Sequence, residues 1–177
     1  MKKNKQNIIL IGMSGAGKST LGVLLAKALG KHFADTDIYI QQHTGKLLQE
    51  IIDTDGVDRF LEIEEEVVSA LSIRNAVIAT GGSVVYSEHA MNALKKNGIT
   101  VYLRVDYEEL VKRLSNISTR GIVFKGKNDL ATVYRERLPL YEAYADITVD
   151  PTGRDIESSV EEIIRAIGES QEKKQSL

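Results

Sequence analysis

The sequence predicts a parallel α/β sheet with helices packed on both faces. Two observations carry that prediction. Short apolar, β-branched runs recur along the chain and alternate with stretches of helical spacing, the pattern of buried strands joined by crossover helices. The residues with unusual chemistry also fall just after those runs, at the carboxyl ends of the strands, where such sheets hold their ligands.

Taken in order, "NIILIGM" (7–13) is an unbroken apolar run ending at glycines, as a fully buried first strand would be. "KSTLGVLLAKALG" (18–30) sets Leu21, Leu24, Leu25 and Ala28 at helical spacing and stops at Gly30, a residue suited to a helix end. "HFADTDIYI" (32–40) predicts a short second strand. Residues 46–73 read as helix with a break at "DTDG" (53–56). "NAVIAT" (75–80) is a third buried strand, followed by "GGS" (81–83) and a helix near 87–97. "ITVYLRV" (99–105) is the fourth strand and "DYEELVKRLS" (106–115) the helix after it. "NISTRGIVFKGKND" (116–129) has no periodicity and reads as a mobile loop. A helix to about Ala143, "DITVD" (146–150) as strand five and a last helix over 156–168 complete the pattern. Residues 169–177 are expected to be a flexible tail.

At 177 residues the chain is long enough for one domain with a real core, expected to span 1–177. A formal charge of −2 and a pI near 6.0 give no global pull toward nucleic acid or an anionic membrane. The absence of cysteine excludes disulfides and thiolate metal sites, and fits a reducing compartment. The run "IILIGM" is too short for a membrane span or a signal core. A cytoplasmic protein working as a monomer is expected. His32, His43 and His89 are scattered without ligand spacing and are expected to be structural or exposed.

"GMSGAGKST" (12–20) is the strongest local signal. Gly12, Gly17, Lys18 and Ser19 match the phosphate-binding loop G-x-x-x-x-G-K-[ST], with an apolar strand before it and a periodic helix after it. Glycines let the backbone turn tightly and bring its N–H groups onto phosphate oxygens, and the following helix adds its positive end. The nucleotide-contacting set is therefore Gly15, Ala16, Gly17, Lys18, Ser19 and Thr20. Lys18 would reach the β- and γ-phosphates of ATP, and the Ser19 hydroxyl would ligate Mg²⁺.

Three classes of protein use such a loop at this point: a small-molecule kinase, a GTP-dependent switch, and a motor or clamp subunit. A switch needs N-K-x-D after a strand, and "GKND" (126–129) matches only in composition. Asp53 and Gly56 form D-x-x-G, but behind the helical "LLQEII", where a helix-ending turn is the simpler reading. A motor or clamp normally needs a longer chain. The kinase reading stands.

The chain resembles the shikimate kinase family across about residues 7–165. The matching pieces are "GMSGAGKST", "FADTD", "DGVDRF" with "IEEEVV", "IATGG", "TVYLRV", "RLSNISTR" and "RERLPLY", in order and at suitable intervals. The resemblance implies a P-loop kinase of three α/β/α layers, a five-stranded parallel sheet of order 2-3-1-4-5, and a lid loop at about 116–130. It implies ATP and Mg²⁺, with the γ-phosphoryl passed to a ring hydroxyl of shikimate. A shikimate-kinase-like enzyme with a different small hydroxylated acceptor is the alternative.

Residue roles follow from the same resemblance. Asp35 would hold Mg²⁺ with Ser19, and Asp37 would orient the acceptor and take its proton; two residues apart on a strand, both carboxylates would face the phosphate loop. A solvated strand end or a helix N-cap is the alternative for this pair. Arg120 matches a lid arginine that neutralises charge on the transferring phosphoryl group, and Arg113 a guanidinium that packs on adenine. Gly81 and Gly82 match a glycine run that lets the acceptor approach the backbone, and Arg137 an arginine that pairs with the acceptor carboxylate. Arg135 is a rival expected to be a surface charge. Glu64 matches a carboxylate near these arginines, while its neighbours from Glu62 to Glu66 read as a solvated helix face. Tyr134, Tyr141 and Tyr144 are expected to pack.

Three positions depart from the family pattern. Leu61 stands where an arginine grips the acceptor carboxylate, and Arg59, on another side of the helix, cannot replace it. Ser83 replaces a third glycine, and Gly121 a proline after the lid arginine.

Overall fold

A computed structural model describes residues 6–115 and 129–175 of the chain. The first strand, β1 (Asn7–Ile11), is buried at every position. It lies at the centre of a five-stranded sheet of order β2-β3-β1-β4-β5, the order expected. All four pairings are parallel, for example Leu10 opposite Ala79 of β3 (Ala76–Ala79) and opposite Val101 of β4 (Gly98–Leu103). The edge strands are β2 (His32–Asp35) and β5 (Ile147–Val149). A strand covered on both faces cannot alternate polar and apolar residues, which is why β1, β3 and β4 read as continuous apolar runs.

Helix α1 (Lys18–Leu29) starts directly from the phosphate loop and ends at Gly30, whose positive φ of 62° closes the helix in the left-handed conformation. Its buried face is Lys18, Leu21, Gly22, Leu25 and Ala26; Leu24 and Ala28, expected on that face, are exposed. The periodicity misled because small residues make the contact: a Cβ at Gly22 would stand only 2.7 Å from the Phe33 ring.

The second strand is shorter than expected. It stops at Asp35, and residues 36–44 form α2 (Thr36–Thr44). The "DIYI" run favours a strand by propensity, but the Asp35 carboxylate accepts a hydrogen bond from the Asp37 N–H at 3.1 Å and caps a helix there. Asp37 therefore lies in the first turn of α2 and does not alternate with Asp35 along a strand.

Helices α3 (Leu48–Asp55) and α4 (Val57–Ser69) follow, parted at Gly56 as the "DTDG" break predicts. Asp53 sits inside α3, accepting from the Gln49 amide at 2.8 Å, so D-x-x-G here is a helix end. Helices α2 to α4 share a small core of Ile40, Ile51, Phe60, Ile63 and Val67, distinct from the main core around the sheet. This satellite carries one wall of the cleft.

A 3-10 turn (Val84–Tyr86) and α5 (Glu88–Lys95) connect β3 to β4. Helix α6 (Tyr107–Ser115) leads toward the expected lid, whose residues 116–128, including Arg120 and Gly121, lie outside the described residues. Helix α7 (Leu130–Tyr144) begins at Asp129, whose carboxylate caps it by accepting from the Thr132 N–H at 2.8 Å. The last helix, α8 (Ile156–Gln175), continues well past the expected end at 168. Arg165 bridges Glu162 and Glu169 across successive turns there, which supports a polar helix that apolar spacing alone does not reveal. Among the described residues no helix is long and apolar enough to cross a membrane.

Candidate active site

The site is built upward from β1. Where that strand ends the chain turns through residues 12–17, and Gly17 takes φ 96° as the N-cap of α1. A side chain would be strained there, and the turn aims the first N–H groups of α1 into open space. Lys18 lies back across the turn, its Nζ donating to the carbonyls of Gly12 at 2.7 Å and Met13 at 2.8 Å. The Ser19 hydroxyl donates to Asp35 Oδ2 at 2.6 Å. These are two hard oxygen donors, one from the first turn of α1 and one from the end of β2, the kind of pair Mg²⁺ uses together with water and phosphate oxygens. Among the described residues no group of three or more histidine, aspartate or glutamate side chains is arranged to hold a metal by itself.

A cleft of about 400 Å³ runs along this turn, lined by Ser14, Lys18, Ser19, Asp35, Asp37 and Gly81 among others. Asp35 and Asp37 thus reach the same space despite the corrected secondary structure, one from the strand end and one from the first turn of α2. The Thr36 hydroxyl between them is buried and accepts the Gly81 N–H at 3.1 Å, which ties α2 to the end of β3.

Beyond Gly81 the cleft narrows among Phe60, Gly82, Ser83 and Arg137. Here glycine is a spatial requirement. A Cβ at Gly81 would collide with Glu64 Oε1 and stand 3.1 Å from Asp37 Oδ1, and one at Gly82 would stand 3.0 Å from Arg137 Nη1. Arg137 is 1% exposed, and its guanidinium lies 5.0 Å over the Tyr86 ring. Arg135, by contrast, is exposed and turns back on its own helix.

Glu64 is 2% exposed, while Glu62 and Glu66 of the same helix face solvent. The Ser83 hydroxyl donates to Glu64 Oε2 at 2.6 Å, and Oε1 has no hydrogen-bond partner. Burial pushes its pKa up to about 7; the nearby Asp37 charge adds to the rise, and the Ser83 hydroxyl, Arg137 and Lys18 oppose it. Leu61, one turn earlier, lines the outer side of this region with Glu64, Ser83 and Tyr86. Arg59 points elsewhere and pairs with Glu62 at 2.8 Å on the surface.

A second cleft of about 350 Å³ lies on the far side of the loop, bounded by Gly15, Ala16, Gly17, Thr20, Arg113 and Arg154 among others. Arg113 is ion-paired with Glu109 at 2.9 Å at its rim. Arg154, Ser83, Tyr86 and Tyr141 are site residues that sequence reasoning missed or left without a role. Tyr141 stacks on Tyr102 with centroids 5.1 Å apart, as packing predicts, but its hydroxyl also donates to the Gly82 carbonyl at 2.6 Å. Ser83 is marked in the sequence as standing where a third glycine is expected, without a partner being legible; nothing local marks the others, and only the fold brings them to the cleft.

A phosphate loop on a 2-3-1-4-5 sheet, facing a carboxylate-lined acceptor cleft, defines a P-loop kinase that acts on a small molecule. The family profile described as shikimate kinase matches residues 14–168. The chain is 37% identical over 163 residues to a shikimate kinase of Thermodesulfovibrio yellowstonii, covering 90% of this chain and 94% of that one. It is 43% identical over 151 residues to a shikimate kinase of Mycobacterium avium, covering 82% and 84%. The structure of shikimate kinase from Acinetobacter baumannii in complex with shikimate superposes with a TM-score of 0.85 at 31% identity, over 93% of this chain and 94% of that one. A gluconokinase from Sinorhizobium meliloti, at 17% identity and TM-score 0.56 over 96% and 95%, shares the fold alone. The chain belongs to the shikimate kinase family, whose members are phosphotransferases using ATP.

Proposed function

We propose that this protein transfers the γ-phosphoryl group of ATP to a ring hydroxyl of shikimate. The observation that carries the reading is the single cleft in which the phosphate loop, Asp37 and the buried Arg137 meet, in a chain of this family. Gly15 to Thr20 cradle the phosphates with backbone N–H groups, and Lys18 swings from its two carbonyl partners onto the γ-phosphate. Ser19 and Asp35 would hold Mg²⁺, which would supply charge neutralisation on the phosphate oxygens. Asp37 accepts a hydrogen bond from the acceptor hydroxyl, orients it and takes its proton as the new P–O bond forms. Arg137 pairs with the acceptor carboxylate across Gly81 and Gly82. Arg113 flanks the adenine, and Arg120 is assigned to the transferring phosphoryl group on the family resemblance alone.

One acceptor-side cation is replaced by Leu61, so the acceptor should bind with a raised KM and a respectable kcat. A charge-assisted contact is worth about 1.5–3 kcal/mol, or roughly 10- to 150-fold in affinity at about 1.4 kcal/mol per decade. Leu61 and Glu64 are three residues apart on α4 and line the same cleft, so Leu61→Arg should lower the KM for shikimate by that factor. Steady-state ATP consumption with shikimate, and with a panel of hydroxylated acids, tests the reading. No turnover at millimolar shikimate in either protein would overturn it in favour of another acceptor.

A further inference from the structure

Glu64 is a buried carboxyl for which phosphoryl transfer requires no role. It stands at the acceptor end of the cleft, fixed through Oε2 to Ser83, with Oε1 against Gly81 and lacking a hydrogen-bond partner. Among the described residues the charged groups facing it are Asp37 from α2, Arg137 from α7 and Lys18 from the phosphate loop. Lys18 belongs to the phosphates, which leaves one cation against two carboxyls at the acceptor end. The other acidic side chains of α4, Asp58, Glu62, Glu65 and Glu66, line the outer groove that Leu61 and Glu64 also reach. Glu65 accepts from the Ser87 hydroxyl at 2.5 Å and lies 3.8 Å from His89 of α5, and Glu66 lies 3.8 Å from His43 of α2. Tyr86 and Tyr141, which face Arg137, add no charge, burial pushing the Tyr141 hydroxyl further above neutrality.

With Glu64 ionised, the acceptor end carries a net negative charge before an anionic acceptor arrives. With a proton on Glu64, Arg137 and Asp37 balance. We propose that Glu64 takes up a proton from solvent when the carboxylate-bearing acceptor binds, so that acceptor affinity is proton-linked and Glu64 is a specificity-determining residue. The inference rests on shikimate being the acceptor. Its setting near neutral pH follows from burial of a carboxyl beside Asp37. A free carboxylic acid ligand titrates near pH 4, well outside that range, so the linkage belongs to the protein.

The test is calorimetric titration of the full chain, saturated with ADP and Mg²⁺ so that phosphate oxygens occupy Lys18, with shikimate at several pH values and in two buffers of different ionisation enthalpy. For wild type, about 0.9 proton should be taken up per shikimate at pH 8 and almost none at pH 6. Kd should rise roughly 30-fold from pH 6 to 8.5 over the same linkage. Glu64→Gln keeps a neutral partner for Ser83, so its Kd should stay near the wild-type value at pH 6 and be flat with pH, without proton uptake. Leu61→Arg supplies a guanidinium beside Glu64, stabilises its ionised form, and should also abolish uptake at pH 8. Shikimate binding by wild type with a flat Kd and no uptake overturns the proposal, as does the same pH slope in a folded Glu64→Gln. Should that variant not fold, wild-type uptake and its loss in Leu61→Arg decide. Absence of any shikimate binding, in every variant and at every pH, removes the acceptor assignment and this linkage with it.

Discussion

The phosphate end of the cleft is made mainly by one stretch of chain, residues 12–20 and the helix they begin, joined by Asp35 from the end of β2. The acceptor end draws side chains from α2, α4, the turn after β3 and α7. The two ends also differ in how they stand without ligands. At the phosphate end Lys18 rests on two backbone carbonyls and Ser19 on Asp35, so polar groups that await a nucleotide have partners already. At the acceptor end a carboxyl is buried with one oxygen lacking a hydrogen bond, beside a second carboxylate and a guanidinium. A buried group left so costs about 1–3 kcal/mol. The phosphate end is thus locally complete, while the acceptor end holds electrostatic tension that its ligand or a proton relieves.

That difference is sharpest at Lys18. If it serves the phosphate end alone, Lys18→Ala should lower kcat roughly a thousandfold, the loss expected when one charge-stabilising donor is removed, and weaken ATP binding as well. Shikimate affinity in the absence of nucleotide should not fall, since removing a charge that opposes protonation of Glu64 favours its protonated form. Calorimetry with each ligand separately checks this, and a large loss of shikimate affinity would show that the two ends are not independent.

The tension at the acceptor end predicts a stability effect. Glu64 has a folded-state pKa of about 7 against an unfolded value of 4.5. A raised pKa means that the folded protein binds the proton more tightly, so its contribution is present below pH 4.5 and is lost as pH rises to about 7. At about 1.36 kcal/mol per unit the loss is on the order of 3 kcal/mol. Denaturant midpoints for wild type and Glu64→Gln should therefore diverge across this window, wild type falling relative to the variant. Parallel curves would mean that Glu64 does not titrate there.

Asp37 stands between the two ends, and Asp37→Asn should separate them. Loss of a general base costs about a hundredfold or more in rate, so kcat should fall by at least that factor. ATP affinity should remain near normal, because the phosphate end keeps Lys18, Ser19 and Asp35. A variant retaining more than about a tenth of kcat would remove Asp37 from the role of base.

The same contrast explains what was legible in the sequence. The phosphate loop is contiguous, and its glycines, lysine and serine are required at fixed spacing, so Gly15 to Ser19 could be read directly. The sheet was legible too, because strands buried on both faces leave uninterrupted apolar runs. The start of α2 was not, since one capping carboxylate at Asp35 outweighed the strand propensity of "DIYI". Asp37 and Arg137 were legible only through family resemblance. Ser83, Tyr86 and Tyr141 acquire their roles from contacts between α4, α7 and the turn after β3, which no spacing along the chain encodes. Leu61 is the reverse case: the departure was visible in sequence, but its consequence for Glu64 needed the burial and hydrogen bonding of that carboxyl.

The smallest expected effect concerns Tyr141, and it tests how far the acceptor end depends on its second layer. Its hydroxyl donates to the Gly82 carbonyl at 2.6 Å, while its ring stacks on Tyr102 and is fully buried. Tyr141→Phe keeps the ring and the stack and removes the hydroxyl, which donates to Gly82 and also hydrogen-bonds with the Arg137 guanidinium. The Gly82 carbonyl then loses a partner worth about 0.5–1.5 kcal/mol. Gly82 lies between Ser14 and the Arg137 guanidinium, with no room for even a Cβ to be added comfortably. A small shift of this turn therefore moves the surface against which the acceptor carboxylate meets Arg137. The expected outcome is a rise in shikimate KM of roughly 2- to 12-fold at unchanged ATP KM, with a modest fall in stability from the same lost bond. An equal rise in both KM values would mean that the turn after β3 supports the phosphate loop through Ser14 as much as it supports the acceptor, and that the division between the two ends is less complete than their construction implies.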